Sequence, residues 1–267
     1  MMTFLSTTVK RYPFATFVLL AYAFSWWMWP LYALDMLPAV IVGFGPFLAA
    51  VTVLALTAGR PAVEELLRQM VQWRVAVRWY IVALGLPLLI TGLAAALNIL
   101  LGAPVPDPEK LANWPSMLPA FLMLLLVPGI GGAWEKPGWR GYVLPKLANQ
   151  RTQLVAGLIL AVVIAGWHLP LFLTGIIHPA DLLFLVGTVS IFNLVYYYAK
   201  RSVLIIMIFH AMNNAVGQFF PSLFSDDYVA QLPMLQGAVC AIFALITSRA
   251  KWLFSTFQPI GRLLYAR

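Results

Sequence analysis

Residues 79–101 read WYIVALGLPLLITGLAAALNILL, and this stretch sets the class of the fold. From Trp79 to Leu101 it carries no charged side chain, and Thr91 and Asn98 are its small polar exceptions. Crossing the hydrocarbon core of a bilayer takes roughly 20 apolar residues as a helix, because each residue rises about 1.5 Å. Lipid offers no partner for exposed peptide groups, so a run of this kind spans as a helix or not at all. Similar runs lie on both sides of it. Eight spans are expected, at about 12–34, 37–58, 79–101, 116–135, 153–175, 182–199, 202–220 and 232–248.

Composition agrees. Hydrophobic residues make up 62% of the chain and charged residues 10%, against about half and about a quarter in soluble domains. So few charges cannot cover a water-soluble globule of this size, and lipid must solvate most of the exterior. The net charge of +8 forms no basic patch with interleaved aromatics, which argues against nucleic acid as a partner. The single cysteine, Cys240, excludes an internal disulfide and suits packing among apolar neighbours.

The positive charge instead reports orientation, because cytoplasmic loops retain Lys and Arg. With eight alternating spans, Lys10, Arg11, Arg60, Arg68, Arg74, Arg78, Lys136, Arg140, Lys146, Arg151, Lys200, Arg201, Arg249, Lys251, Arg262 and Arg267 share one side. Only Lys110 falls opposite, beside Asp107 and Glu109. Both termini are therefore expected in the cytoplasm. Between the second and third spans, residues 61–74 place Val63, Leu66, Leu67, Met70 and Trp73 at helical spacing with charges between them, the pattern of an amphipathic helix in the membrane interface. Lys251, Trp252, Phe254 and Phe257 suit the same surface. No internal repeat divides the chain. One all-α helical bundle over residues 1–267 is the expected architecture, a multi-pass protein of a bacterial-type cytoplasmic membrane.

Ionisable groups inside spans are costly and tend to mark function. Three segments carry them: Trp134-Glu135-Lys136-Pro137-Gly138-Trp139-Arg140-Gly141-Tyr142, Gly166-Trp167-His168-Leu169-Pro170, and Phe209-His210-Ala211-Met212-Asn213-Asn214. Each has an ordinary structural explanation. Glu135 can pair with Arg140, the histidines and asparagines can bond neighbouring helices, and Trp139 and Trp167 can pack or anchor at the interface. His178 lies in a loop and takes no role. Taken together, the segments say more. His210 and Asn214 are four apart and share a helix face. A carboxylate, two imidazoles and a carboxamide supply what amide hydrolysis needs: a base for water and donors for the developing oxyanion. The same Glu135, His168 and His210 could instead ligate zinc, since His₂Glu is a catalytic zinc set. A transporter would also place polar groups at mid-bundle, but paired broken helices and repeated halves are missing from the sequence.

Three motifs give the chain its resemblance to the CPBP intramembrane protease family, the CAAX proteases and bacteriocin-processing enzymes that include the type II CAAX prenyl endopeptidase. The family's Glu-Glu-x-x-x-Arg followed by Gly is similar to Glu135 through Gly141. Its Phe-x-x-x-His is similar to Ile164 through His168, and its His-x-x-x-Asn to His210 through Asn214. Order and spacing agree over roughly residues 115–220. The resemblance implies an eight-helix bundle with a polar cavity open to the cytosol, and a first glutamate, here Glu135, that activates water. Under that reading His168 positions the water, His210 and Asn214 stabilise the oxyanion, and Arg140 orients the loop. The substrate is then a peptide or protein, not specified by the motifs, and a metal-independent mechanism is preferred to zinc. A non-catalytic scaffold or immunity protein of the same fold is the alternative.

Two positions depart from the pattern. Ile164 stands for the motif phenylalanine and Lys136 for the second glutamate. Lys136 and Arg140 become a like-charged i,i+4 pair, mildly unfavourable if exposed. Two solutions are open: Glu64 or Glu65, on the interfacial helix, pairs with Lys136 or Arg140, or Lys136 snorkels to the headgroups. Glu135→Gln is expected to abolish peptidase activity while leaving the chain folded.

Overall fold

Apolar runs become helices throughout the computed structural model, which describes residues 2–249. Helix α1 (Met2–Arg11) is followed by α2 (Pro13–Trp26), which continues into α3 (Met28–Ala33). Helix α4 (Gly45–Thr57) precedes the amphipathic α5 (Arg60–Met70) and the long α6 (Val77–Leu100). After α7 (Pro108–Ala112) comes α8 (Met117–Leu126). A 3₁₀ turn (Ala133–Glu135), a π-helix (Pro137–Val143) and α9 (Leu144–Ala148) follow in close succession. Helices α10 (Gln153–Trp167), α11 (Leu169–Leu173), α12 (Asp181–Tyr198), α13 (Val203–Phe219), α14 (Asp226–Val229) and α15 (Leu232–Arg249) complete the described residues, which contain no strand.

Among the described residues, four helical stretches are long and apolar enough to cross a membrane: Pro13–Ala33, Val77–Leu100, Asp181–Tyr198 and Val203–Leu223. Exposed leucines and isoleucines cover the outside of α6, among them Ile81, Leu84, Leu88 and Leu89. An apolar exterior on a helix of this length belongs in lipid. This is an integral membrane protein. The expected segments at 37–58 and 153–175 contain the shorter apolar helices Gly45–Thr57 and Gln153–Trp167.

The expected span 116–135 needs correcting. Helix α8 ends at Leu126, and Gly129 (φ 89°) and Gly131 (φ 70°) take left-handed backbone beside Pro128. Glycine tolerates that region without steric penalty, whereas other residues rarely enter it. Glu135 therefore opens a second helical segment instead of closing a fourth span. Pro137 does not break this segment; it stands at its first turn, where a missing amide is harmless. The tail carrying Lys251, Trp252, Phe254 and Phe257 lies outside the described residues.

Small residues let the helices close on one another, as lipid-embedded bundles require. A side chain at Gly45 would collide with Ser25 and Ala21, so α2 and α4 pack backbone to backbone. Gly187 meets Cys240 in the same way, which makes the buried thiol a packing group between α12 and α15. Helix α13 runs through the middle against α6 and α8. Its start is capped by Ser202, whose hydroxyl accepts from the Ile205 amide (3.3 Å) and donates to the Gln72 carbonyl (2.8 Å).

Candidate functional site

The site begins where α8 stops. Trp134 Nε1 donates to the Leu125 carbonyl (3.0 Å), tying the Val127–Gly132 loop back onto the end of α8. The loop then lies flat on the polar face of α13. A β-carbon at Gly132 would fall into the His210 ring, with Nδ1 at 2.9 Å, and one at Gly131 would collide with the Leu124 side chain, 3.4 Å from Asn214 Nδ2. Both glycines are thus demanded by close approach. Helix α13 presents His210 and Asn214 to the same loop, as their four-residue spacing requires.

Glu135 follows directly and is 1% exposed. Its Oε1 is held in an ion pair by the Lys136 ammonium and lies 3.3 Å from His210 Nδ1. The imidazole is close enough for an electrostatic contact, though off the line of a hydrogen bond. Oε2 accepts from the indole N–H of Trp139 (3.2 Å). Trp139 lies four residues on, within residues 137–143, which wind as a π-helix, a form concentrated at functional sites. Its ring is fully buried, edge-on to Phe17 and Trp167.

Arg140 is completely buried, and none of its three guanidinium nitrogens has a hydrogen-bond partner among the described residues. Its Cζ sits 5.1 Å from the centre of the Phe192 ring, and the Lys136 ammonium lies 4.9 Å from the same centre. A phenyl face attracts cations through its quadrupole, but far less than a carboxylate does. Two cations therefore share one aromatic ring and one carboxylate.

His168 terminates α10 one residue past Trp167. Its Nδ1 lies 2.8 Å from the Ile164 carbonyl. A carbonyl can only accept, so Nδ1 carries the proton and Nε2 of the neutral ring presents a lone pair. The side chain lies within electrostatic reach of Glu135 and Lys136. Helix α2 fixes its position: Tyr22 donates to the Val163 carbonyl (2.6 Å) and Trp26 to the Trp167 carbonyl (3.0 Å). Gly166 leaves room for the Tyr22 hydroxyl.

Both sequence-based solutions for Lys136 are corrected. Glu64 pairs with Arg60 (2.6 Å) and Glu65 with Arg68 (2.7 Å), each along its own exposed helix surface. Lys136 does not snorkel outward either, since it is 3% exposed. Helix α5 does cover the π-helix, but through Leu66 and Gln69, which crowd Gly141. The physical reason is reach. The acids of α5 face solvent and find basic neighbours one turn away, whereas Glu135 adjoins Lys136 in a dehydrated setting where opposite charges bind more strongly.

The zinc alternative does not match this donor set. No group of three His, Cys, Asp or Glu residues is assembled to hold a metal ion among the described residues. The Lys136 ammonium stands on the carboxylate oxygen that such an ion would need.

Several participants were invisible beforehand. Trp139 as a donor to Glu135 was legible only as an i,i+4 spacing, and Phe192 carries no signal that would single it out from other buried aromatics. Residues 114–216 match the family model described as type II CAAX prenyl endopeptidase Rce1-like. Glu135, Arg140, His168, His210 and Asn214 all fall within the matched segment. No curated protein matches the chain. The polar cluster is therefore embedded in a segment, residues 114–216, that is similar to the Rce1-like type II CAAX prenyl endopeptidases.

Proposed function

We propose that the protein is an intramembrane endopeptidase that hydrolyses a peptide bond near the cytoplasmic face by glutamate-activated water. The observation that carries this reading is the buried Glu135 carboxylate 3.3 Å from His210 within the family-matched segment. In the proposed reaction Glu135 takes a proton from water as the oxygen attacks the scissile carbonyl. His168 offers Nε2 to orient that water, since its Nδ1 is committed to Ile164. His210 and Asn214 donate to the tetrahedral oxyanion, whose stabilisation is usually the largest electrostatic contribution in acyl transfer. The proton held by Glu135 then passes to the leaving amine, which balances the step. Arg140 orients the surroundings of Glu135 through its electrostatic attraction to the carboxylate. The charge pattern along the sequence favours cytoplasmic termini and a cluster on the inner side of the membrane, since Lys136, Arg140, Lys146 and Arg151 adjoin it.

Lys136 imposes a condition. With Oε1 paired to the ammonium and Oε2 accepting from Trp139, the carboxylate has few lone pairs left for water. Catalysis requires Lys136 to leave Oε1 when substrate binds. This observation also supports a second reading, a non-catalytic relative that binds peptides in the same cavity and never frees its base.

One experiment separates the two. Purified protein in liposomes is incubated with peptide pools, prenylated and unmodified, and products are read by mass spectrometry. Cleavage at one bond type by the wild type, and none by a folded Glu135 variant, is the expected outcome. Uncut peptides that nevertheless bind and stabilise the folded protein would establish the second reading.

A further inference from the structure

The charges of the cluster do not balance. Within the contact group around Phe192, Lys136 and Arg140 are cations and Glu135 is the acid, while neither imidazole needs to be charged. The ammonium takes Oε1 and the indole of Trp139 takes Oε2. Arg140 is left with an electrostatic attraction to Glu135 and no hydrogen bond from any of its nitrogens. A buried, unpaired guanidinium is among the costliest arrangements a protein interior can hold. The acids of α5 do not relieve it, because both are engaged on the exposed surface.

We infer that Lys136 and Arg140, set against Phe192, form a binding site for a small monovalent carboxylate. Charge sets the valence: one negative charge neutralises the group, whereas a dianion would leave an excess of the opposite sign in the same dehydrated space. Geometry sets the class, because a planar carboxylate meets a guanidinium fork with two parallel hydrogen bonds. The cluster borders the Val127–Gly132 loop, where Val127 and Ile130 are exposed and the adjoining His210 side chain keeps 13% of its surface. A carboxylate on the Arg140 fork also draws the Lys136 ammonium away from Glu135 Oε1, which leaves that oxygen open to water. The ligand can be a free acid or an acidic group on a bound peptide; the chemistry is the same.

Thermal unfolding of the full-length protein in detergent tests this without requiring turnover. Sodium formate replaces sodium chloride at constant ionic strength, with sodium phosphate as a dianion control. The wild-type midpoint is expected to rise by roughly 3–6 °C once formate reaches about ten times its Kd, and phosphate is expected to give less. Lys136→Met removes the excess charge and Lys136→Glu supplies the acid internally, so both are expected to lose the formate response. Arg140→Gln is expected to lose it as well, and the two Lys136 variants decide the matter if that protein does not fold. A wild type indifferent to formate overturns the inference, as does a response that survives in both Lys136 variants. Adding a peptide with one acidic side chain, and its amide counterpart, then distinguishes a free acid from a peptide-borne one. A failed cleavage assay leaves this readout intact, so the site and the proposed activity stand or fall separately.

Discussion

Removing the acid from the Glu135–Lys136 pair is expected to damage the fold as well as the chemistry. The two side chains are 1% and 4% exposed and bonded to each other. In Glu135→Gln the charge-assisted contact is lost, worth about 1.5–3 kcal/mol, and Lys136 is stranded beside the already unpaired Arg140. Breaking a buried pair from one side costs about 3–5 kcal/mol. For a chain of this size that lowers the unfolding midpoint by roughly 6–20 °C. Glu135→Gln/Lys136→Met removes both charges together, and replacing a whole buried pair by apolar groups is often neutral. The double variant is expected to recover at least half of the lost midpoint. The assay is a double-mutant cycle of thermal melts in one detergent, which isolates the pair from the separate effects of each side chain. A double variant melting no higher than Glu135→Gln, or a Glu135→Gln protein as stable as wild type, would refute the claim that this pair is buried and coupled. The double variant is also the proper test of catalysis, because its inactivity could not be ascribed to misfolding.

Gly132→Ala forces a β-carbon into the space of the His210 ring. It is expected to cost about 1–3 kcal/mol through overpacking and to lower peptidase turnover about 100-fold by displacing His210; full turnover in the variant would remove His210 from the reaction. Glu65→Gln breaks a half-exposed pair with Arg68, so its expected effect on stability is below about 1 kcal/mol, with peptide cleavage unchanged. A large loss of activity there would reinstate α5 as the source of the acid for Lys136 or Arg140.

Composition and the uncharged run from Trp79 to Leu101 were enough to establish an integral membrane protein of helices, because bilayer thickness and peptide polarity leave little else possible. The family resemblance carried by the three motifs, over roughly residues 115–220, also picked out the segment that the family model matches. The spacing of His210 and Asn214 determined that both would face one direction, since periodicity is a property of the helix itself. Where α8 ends was not legible, because Pro128 and the left-handed glycines 129 and 131 act through backbone geometry whose outcome depends on what the loop rests against. Nor was the partner of Lys136. Glu64 and Glu65 were chemically adequate candidates, and only the packed structure decided against them by pointing them at solvent and bringing Glu135 and Lys136 together out of water. Periodicity and transfer energy are local and can be summed along a sequence. The pairing of buried charges depends on which groups lose their water together, and that is settled by tertiary packing.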